Sequence, residues 1–175
     1  MNPNRRIVLR LTCALAAVGA GPVAALDRPG GPVVLSIMGR VRSTNAAKAA
    51  NAANAADFDM PMLERLPQTS FSTRTPWYAQ ARKFTGPLLR DVLTSAGAQG
   101  TMLRARALND YWVDLPMDDA QRFDPVIARL LDDKPMAVRD KGPLFLIYPF
   151  DARTELRSAT YFSRSAWQLR TIEVR

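Results

Sequence analysis

Apolar and polar positions alternate over residues 32–41, with Val33, Leu35 and Ile37 on one side and Gly39 closing the run. That period of two predicts a strand with one buried face. Residues 60–66 carry Pro61 in a first turn and Pro67 beyond the end, which predicts a short helix. Residues 69–75 alternate again and are rich in β-branched side chains, a second strand stopped at Pro76-Trp77. Phe84-Thr85-Gly86-Pro87-Leu88-Leu89 then leads into a helix running to about Ala96. Thr85 or Gly86 would cap it, Pro87 would take its first turn, and Gly97 would supply the left-handed stop. Leu88, Leu89, Val92, Leu93 and Ala96 share its core face.

Residues 102–108 and 111–115 predict two strands joined by the Asn109-Asp110 turn, which tolerates positive φ. Asp118 or Asp119 starts a turn of helix. Asp124-Pro125 is expected to cap a further helix with Val126, Ile127, Leu130 and Leu131 inward. Asp132-Asp133-Lys134-Pro135 should turn into a strand at 136–138. The apolar run 144–148 suits a central strand covered on both faces, and Trp167, Leu169, Ile172 and Val174 supply the last one. Strands dominate, short helices intervene and no βαβ alternation shows, so the expected fold is α+β with a mixed, mainly antiparallel sheet. Residues 45–57 are a low-complexity tract of Ala and Asn, expected as a surface excursion.

The first 25 residues have the layout of an export signal. Arg5 and Arg6 form a positive start, an apolar stretch follows, and Val23-Ala24-Ala25 offers small residues for cleavage before Leu26. The arginine pair also resembles a twin-arginine signal. The expected organisation is a leader, 1–25, and one domain, 26–175, in the periplasm. The 175 residues carry 24 Lys and Arg against 16 Asp and Glu, a net charge of +8. Loss of Arg5, Arg6 and Arg10 lowers it to +5. Export removes nucleic acid as the partner of this charge and leaves an anionic membrane or ligand, or a charge that serves solubility alone. The sequence has no histidine, and its single cysteine, Cys13, falls in the leader. Disulfides, the usual zinc, haem and copper ligand sets and the hydrolase triads thereby lose their residues.

Four short motifs stand in order: Thr73-Arg74-Thr75-Pro76-Trp77, the Phe84-x-Gly86 helix entry, Asn109-Asp110-Tyr111, and Gly142-Pro143 before Tyr148-Pro149. In this order they resemble the molybdopterin-binding oxidoreductase fold, the sulfite-oxidase-like domain. That family's enzymes bind a pterin-dithiolene cofactor and hold molybdenum through one cysteine thiolate. The resemblance sets the thiolate position near Ser72-Thr73-Arg74-Thr75, where this chain has only hydroxyls, poor substitutes for a soft ligand. It therefore implies no metal and a place among small exported pterin-binding sensory proteins. Such proteins report to a membrane receptor, a histidine kinase or an enzyme of cyclic-dinucleotide turnover. The alternatives are a molybdopterin-dependent oxidoreductase and a ligand-free protein-interaction domain.

A pterin is flat and polarisable, so an aromatic face should carry it. Trp77 after its Pro-fixed turn either does so or seals the strand end. The pterin's N–H edge calls for a carboxylate, Asp110 or Asp114, although Asn109-Asp110 is also plain turn chemistry. Arg74, Arg139 and Lys141 are placed to meet an oxygen or an anionic tail, unless 139–141 is only a solvated turn. Gly142 would let backbone N–H groups approach the ligand. Thr75 and Tyr111 complete the candidate set. Tyr111, Trp112 and Tyr148 read more readily as core or strand-face residues.

Overall fold

The structure, a computed structural model, describes residues 26–45 and 55–175. The expected leader and most of the 45–57 tract lie outside them. Twelve strands and four α-helices run through the described chain in three sheets, with every strand pair antiparallel except one. The fold is α+β and mainly antiparallel.

The five-stranded sheet has the order β2-β1-β12-β5-β6, built from β1 (Val33–Gly39), β2 (Ala55–Asp59), β5 (Met102–Ala107), β6 (Trp112–Pro116) and β12 (Leu169–Val174). The first and last of these strands are parallel neighbours, with Ile37 beside Ile172. Leu35, Ile37, Leu103, Ala105, Leu115 and Ile172 point from it into the core and are at most 1% exposed. A four-stranded sheet joins β3 (Gln68–Thr75), β4 (Tyr78–Pro87), β8 (Leu130–Leu131) and β9 (Lys134–Pro135). A three-stranded one, β11-β10-β7, uses Ala166–Trp167, Phe145–Ile147 and Val126–Ala128. All three sheets feed one buried cluster.

Helix α1 (Met60–Arg65) starts where expected, and Asp59 caps it by accepting from Met62 N–H at 2.9 Å. The same carboxylate accepts from Gly30 and Gly31 N–H at 2.7 and 2.9 Å, tying down the entry to the fold. Helix α2 (Leu89–Ser95) buries Leu89, Val92 and Leu93, and Gly97 stops it at φ +60°. Its entry differs from expectation. Thr85, Gly86 and Pro87 end a strand, and the N-cap is Leu88, whose side chain caps nothing. The reason is tertiary: β4 crosses β7 so closely that a Cβ at Gly86 would overlap the Ile127 carbonyl. Strand β4 itself was not expected.

Residues 126–131 form strands, not a helix. Val126, Ile127 and Ala128 are fully buried beside β10, and Asp124 and Asp132 sit at positive φ on either side. A short apolar run buried on both faces carries no period that separates it from a helix. Residues 136–138 are not a strand either: the pairing ends at Pro135, and Val138–Asp140 is a 3₁₀ turn. The last strand breaks at Gln168, φ +54°, into β11 and β12. Ala55–Asp57, expected in a surface excursion, lies in β2. Ala55 and Ala56 are buried, and the Asn45 carboxamide spans to Asp57 N–H and C=O. Helices α3 (Asp119–Arg122) and α4 (Ala159–Arg164) complete the fold; the second was not expected.

Candidate functional site

Strand β4 carries the β8–β9 hairpin on its edge through Phe84–Leu131 and Thr85–Leu130 pairing. The Asp132-Asp133 turn, both residues at positive φ, points two carboxylates back at β4. Lys83 N–H donates to Asp132 Oδ1 at 2.9 Å and Lys83 Nζ to Asp133 Oδ1 at 2.8 Å. Arg82 Nε lies 2.6 Å from Asp132 Oδ2 without its N–H aligned along that line, an ion pair without a hydrogen bond. These exposed pairs each contribute little, but together they fix the hairpin against the strand.

With the hairpin so held, Tyr78 and Arg82 on β4 face Lys134 and the turn Arg139-Asp140-Lys141 across a groove of about 390 Å³. Leu131 and Met136 also line it. Arg82 and Arg139 have carboxylates beside them, Asp132 and Asp140. Neither Lys134 nor Lys141 has an acidic partner among the described residues. Lys141 stands at φ +73°, with its Nζ 5.3 Å from the centre of the Tyr78 ring and 5.8 Å from that of Trp167. Burial pushes the Tyr78 phenol above its usual range, so it is a neutral hydroxyl at physiological pH.

A second, shallower groove of about 260 Å³ opens beyond Trp167, lined by Trp77, Trp167, Phe162, Tyr111, Ser163 and Ser165. It is aromatic and nearly free of charge. Tyr111 OH donates to Ser163 C=O at 2.7 Å, pinning the β5–β6 turn to α4. Lys141 of the first groove lies beside Trp167 of the second, though no residue lines both.

The structure brings only part of the sequence-predicted set together. Arg139 and Lys141 share the first groove; Trp77 and Tyr111 share the second. Trp77 packs against Phe145, Phe150, Phe162 and Trp167 with ring centres 5.5–6.3 Å apart, so it seals the core and presents an edge to the groove. Arg74 and Thr75 line neither groove. Arg74 N–H donates to Asp151, and Thr75 Oγ1 accepts from Trp77 N–H. Asn109 and Asp110 make the expected turn, with Asp110 at φ +63° and Asn109 Oδ1 accepting from Tyr111 N–H. Asp114 holds Arg104 through two bonds of 2.7 and 2.8 Å, and that contact lowers its pKa. Gly142 corrects its expected role. Its N–H already donates to Ala137 C=O, and its missing Cβ admits the Met136 carbonyl, not a ligand.

Sequence reasoning missed Tyr78, Arg82, Lys134, Asp140 and Phe162. Tyr78 directly follows Trp77, and the aromatic pair was a visible signal. Lys134 came within reach only through a hairpin that the sequence was read as forming differently.

Within Ser72-Thr73-Arg74-Thr75, where the resemblance sets the metal thiolate, Thr73 is fully buried. Its Oγ1 accepts from Asp151 N–H at 3.0 Å, binding β3 to the 149–151 turn. That hydroxyl is already bonded within the fold. Among the described residues no cluster of three or more Cys, Asp or Glu side chains is placed to hold a metal. The site is thus a basic groove adjoining an aromatic one on an α+β scaffold. No protein-family model and no curated protein matches this sequence.

Proposed function

We propose that this chain is an exported, non-catalytic pterin-binding protein of the sulfite-oxidase-like fold. Its occupied state is read by a membrane-bound receptor, a histidine kinase or a cyclic-dinucleotide enzyme. The observation that carries the reading is the Lys141 ammonium, without an acidic partner among the described residues, held between the Tyr78 and Trp167 rings. A flat anionic heterocycle supplies what this arrangement lacks, a negative charge for Lys141 and Lys134 and a ring face for the aromatics. Asp140, in the same groove, offers the acceptor that a pterin's N–H edge requires. It takes the part that the sequence assigns to Asp110 or Asp114.

A pterin held here serves as a bound signal and not as a redox centre. The oxidoreductase alternative would need a metal ligand in Ser72-Thr73-Arg74-Thr75, which offers only hydroxyls and an arginine, with Thr73 bonded to Asp151. The ligand-free alternative leaves the unpaired lysines as solubilising charge.

The test is made on purified protein. After denaturation the supernatant is assayed for pterin fluorescence and the protein for molybdenum. Pterin without metal is expected. Stoichiometric molybdenum would replace this reading by an enzyme. If neither is found, and added 6-carboxypterin does not bind, the ligand-free interaction domain stands instead.

A further inference from the structure

We propose that the β5–β6 turn, together with the 138–141 turn beside it, is a docking surface for an anionic lipid bilayer. Five large apolar side chains stand exposed among the described residues, and four of them are at this corner. Leu108 is 47% exposed, Tyr111 42%, Trp112 50% and Val138 52%. Backbone and amide bonds tie the two turns together through Gln168. Leu108 N–H donates to Gln168 C=O at 2.9 Å, Gln168 N–H to Lys141 C=O at 3.0 Å, and the Gln168 amide to Val138 C=O at 2.7 Å. The aliphatic tips therefore sit on a braced loop pair and not on a loose end. Exposed apolar groups gathered in one place mark an interaction site.

The charges around them choose the occupant. Arg104, Arg106, Arg139 and Lys141 border the patch. The acids near it are Asp110 in the turn, Asp114, which pairs with Arg104 at 2.7 Å, Asp140, which Arg139 partly neutralises at 3.5 Å, and Glu173, which pairs with Arg175. The Arg139 side chain is 88% exposed. Trp112 carries the Arg104 guanidinium over its ring, 4.0 Å from the centre. The Trp112 indole with its N–H tip, two aliphatic side chains, the ring of Tyr111 (its hydroxyl held by Ser163 C=O) and a small surplus of cations suit the boundary between headgroups and acyl chains of a negatively charged leaflet. The net charge, +8 for the whole sequence and +5 without residues 1–25, adds a long-range attraction of the same sign. Among the described residues no helix is long and apolar enough to cross a membrane, so the contact proposed is peripheral. It shares Arg139 and Lys141 with the first groove and Tyr111 with the second.

The experiment places an environment-sensitive dye on Ala137→Cys in the full chain carrying Cys13→Ser, so that the probe reports this corner whatever the rest of the chain does. Vesicles of phosphatidylethanolamine with phosphatidylglycerol should shift the dye to the blue, and pure phosphatidylcholine should not. Adding Leu108→Ser with Val138→Ser should weaken the response about tenfold, and Arg139→Gln about fivefold at low salt. No shift with anionic vesicles overturns the proposal, as does an equal shift in the serine variant, which would trace it to the dye. A shift that grows with protein concentration and no vesicles would assign the patch to a second copy of the chain, and overturn it as well.

Discussion

The Tyr148 hydroxyl donates to Asp119 Oδ2 at 2.7 Å, and Arg164 Nη1 donates to the same oxygen at 2.9 Å. Tyr148 is fully buried and Asp119 is 4% exposed, so this is an ionic hydrogen-bond node inside the core. It fastens α3 and α4 to the end of β10, and α4 supplies Phe162 to the wall of the aromatic groove. Burial first, and then the Asp119 charge, raises the Tyr148 phenol far above its ordinary pKa, so it remains a donor.

Asp119→Ala is expected to destabilise the protein by about 3 kcal/mol, because it strands a buried hydroxyl and a half-shielded guanidinium. Tyr148→Phe, which removes only the donor, should cost about 2 kcal/mol. Urea unfolding with an unchanged slope measures both. A loss below about 1 kcal/mol for Asp119→Ala would show that the node contributes little.

Asp59 gives the fold an acid limit. Its carboxylate accepts from Met62, Gly31 and Gly30 N–H, and the bond from Met62 is the largest cause of a folded-state pKa below the usual carboxylate value. A group depressed in this way stabilises the fold above its unfolded pKa of about 3.9. That contribution is lost as pH falls through the lower, folded value. Asp59→Asn should therefore lower stability near neutrality and flatten its decline below about pH 4. Thermal unfolding across pH 2–7 makes the comparison; parallel curves for the two proteins would remove Asp59 as the cause.

Trp77 and Lys141 should separate stability from binding. Trp77→Ala opens a hole among four aromatic rings and is expected to cost about 2 kcal/mol, whatever it does to a ligand. Lys141→Gln removes only the ammonium beside the Tyr78 and Trp167 rings and should lower stability by no more than about 1 kcal/mol while weakening 6-carboxypterin binding about tenfold. Titration followed by fluorescence, beside a melting curve, reads both. Equal affinity in Lys141→Gln would remove the groove from the pterin reading.

Gly142→Ala tests the frame behind Lys141. The added Cβ would overlap the Met136 carbonyl oxygen, a backbone atom that cannot swing aside. A loss of about 3 kcal/mol is expected, with a lower denaturation midpoint. If Gly142→Ala unfolds like the parent, the close approach is relieved by a small shift of the turn.

The strands with alternating patterns were legible because burial on one face leaves a period of two. Leu35 and Ile37 in β1, and Leu103 and Ala105 in β5, follow it and are fully buried. Residues 126–131 were misread because strands shut in on both sides lose that period, and their helix-like spacing was incidental. The entry to α2 was misread for a related reason. Gly86 looks like a cap by chemistry, yet its small size serves the crossing of β4 over β7.

By itself the sequence determined the strand-rich α+β class, the turns at Asn109-Asp110 and Gly97, and the aromatic and basic residues available for a site. Those properties follow from local sterics and the spacing of apolar side chains. Only the tertiary structure decided which of these residues meet. It placed β1 beside β12 from opposite ends of the chain, committed Thr73 to Asp151, turned Trp77 into the core and set Lys141 between Tyr78 and Trp167. Such contacts join segments far apart in sequence, and the shapes that permit them belong to the packed whole.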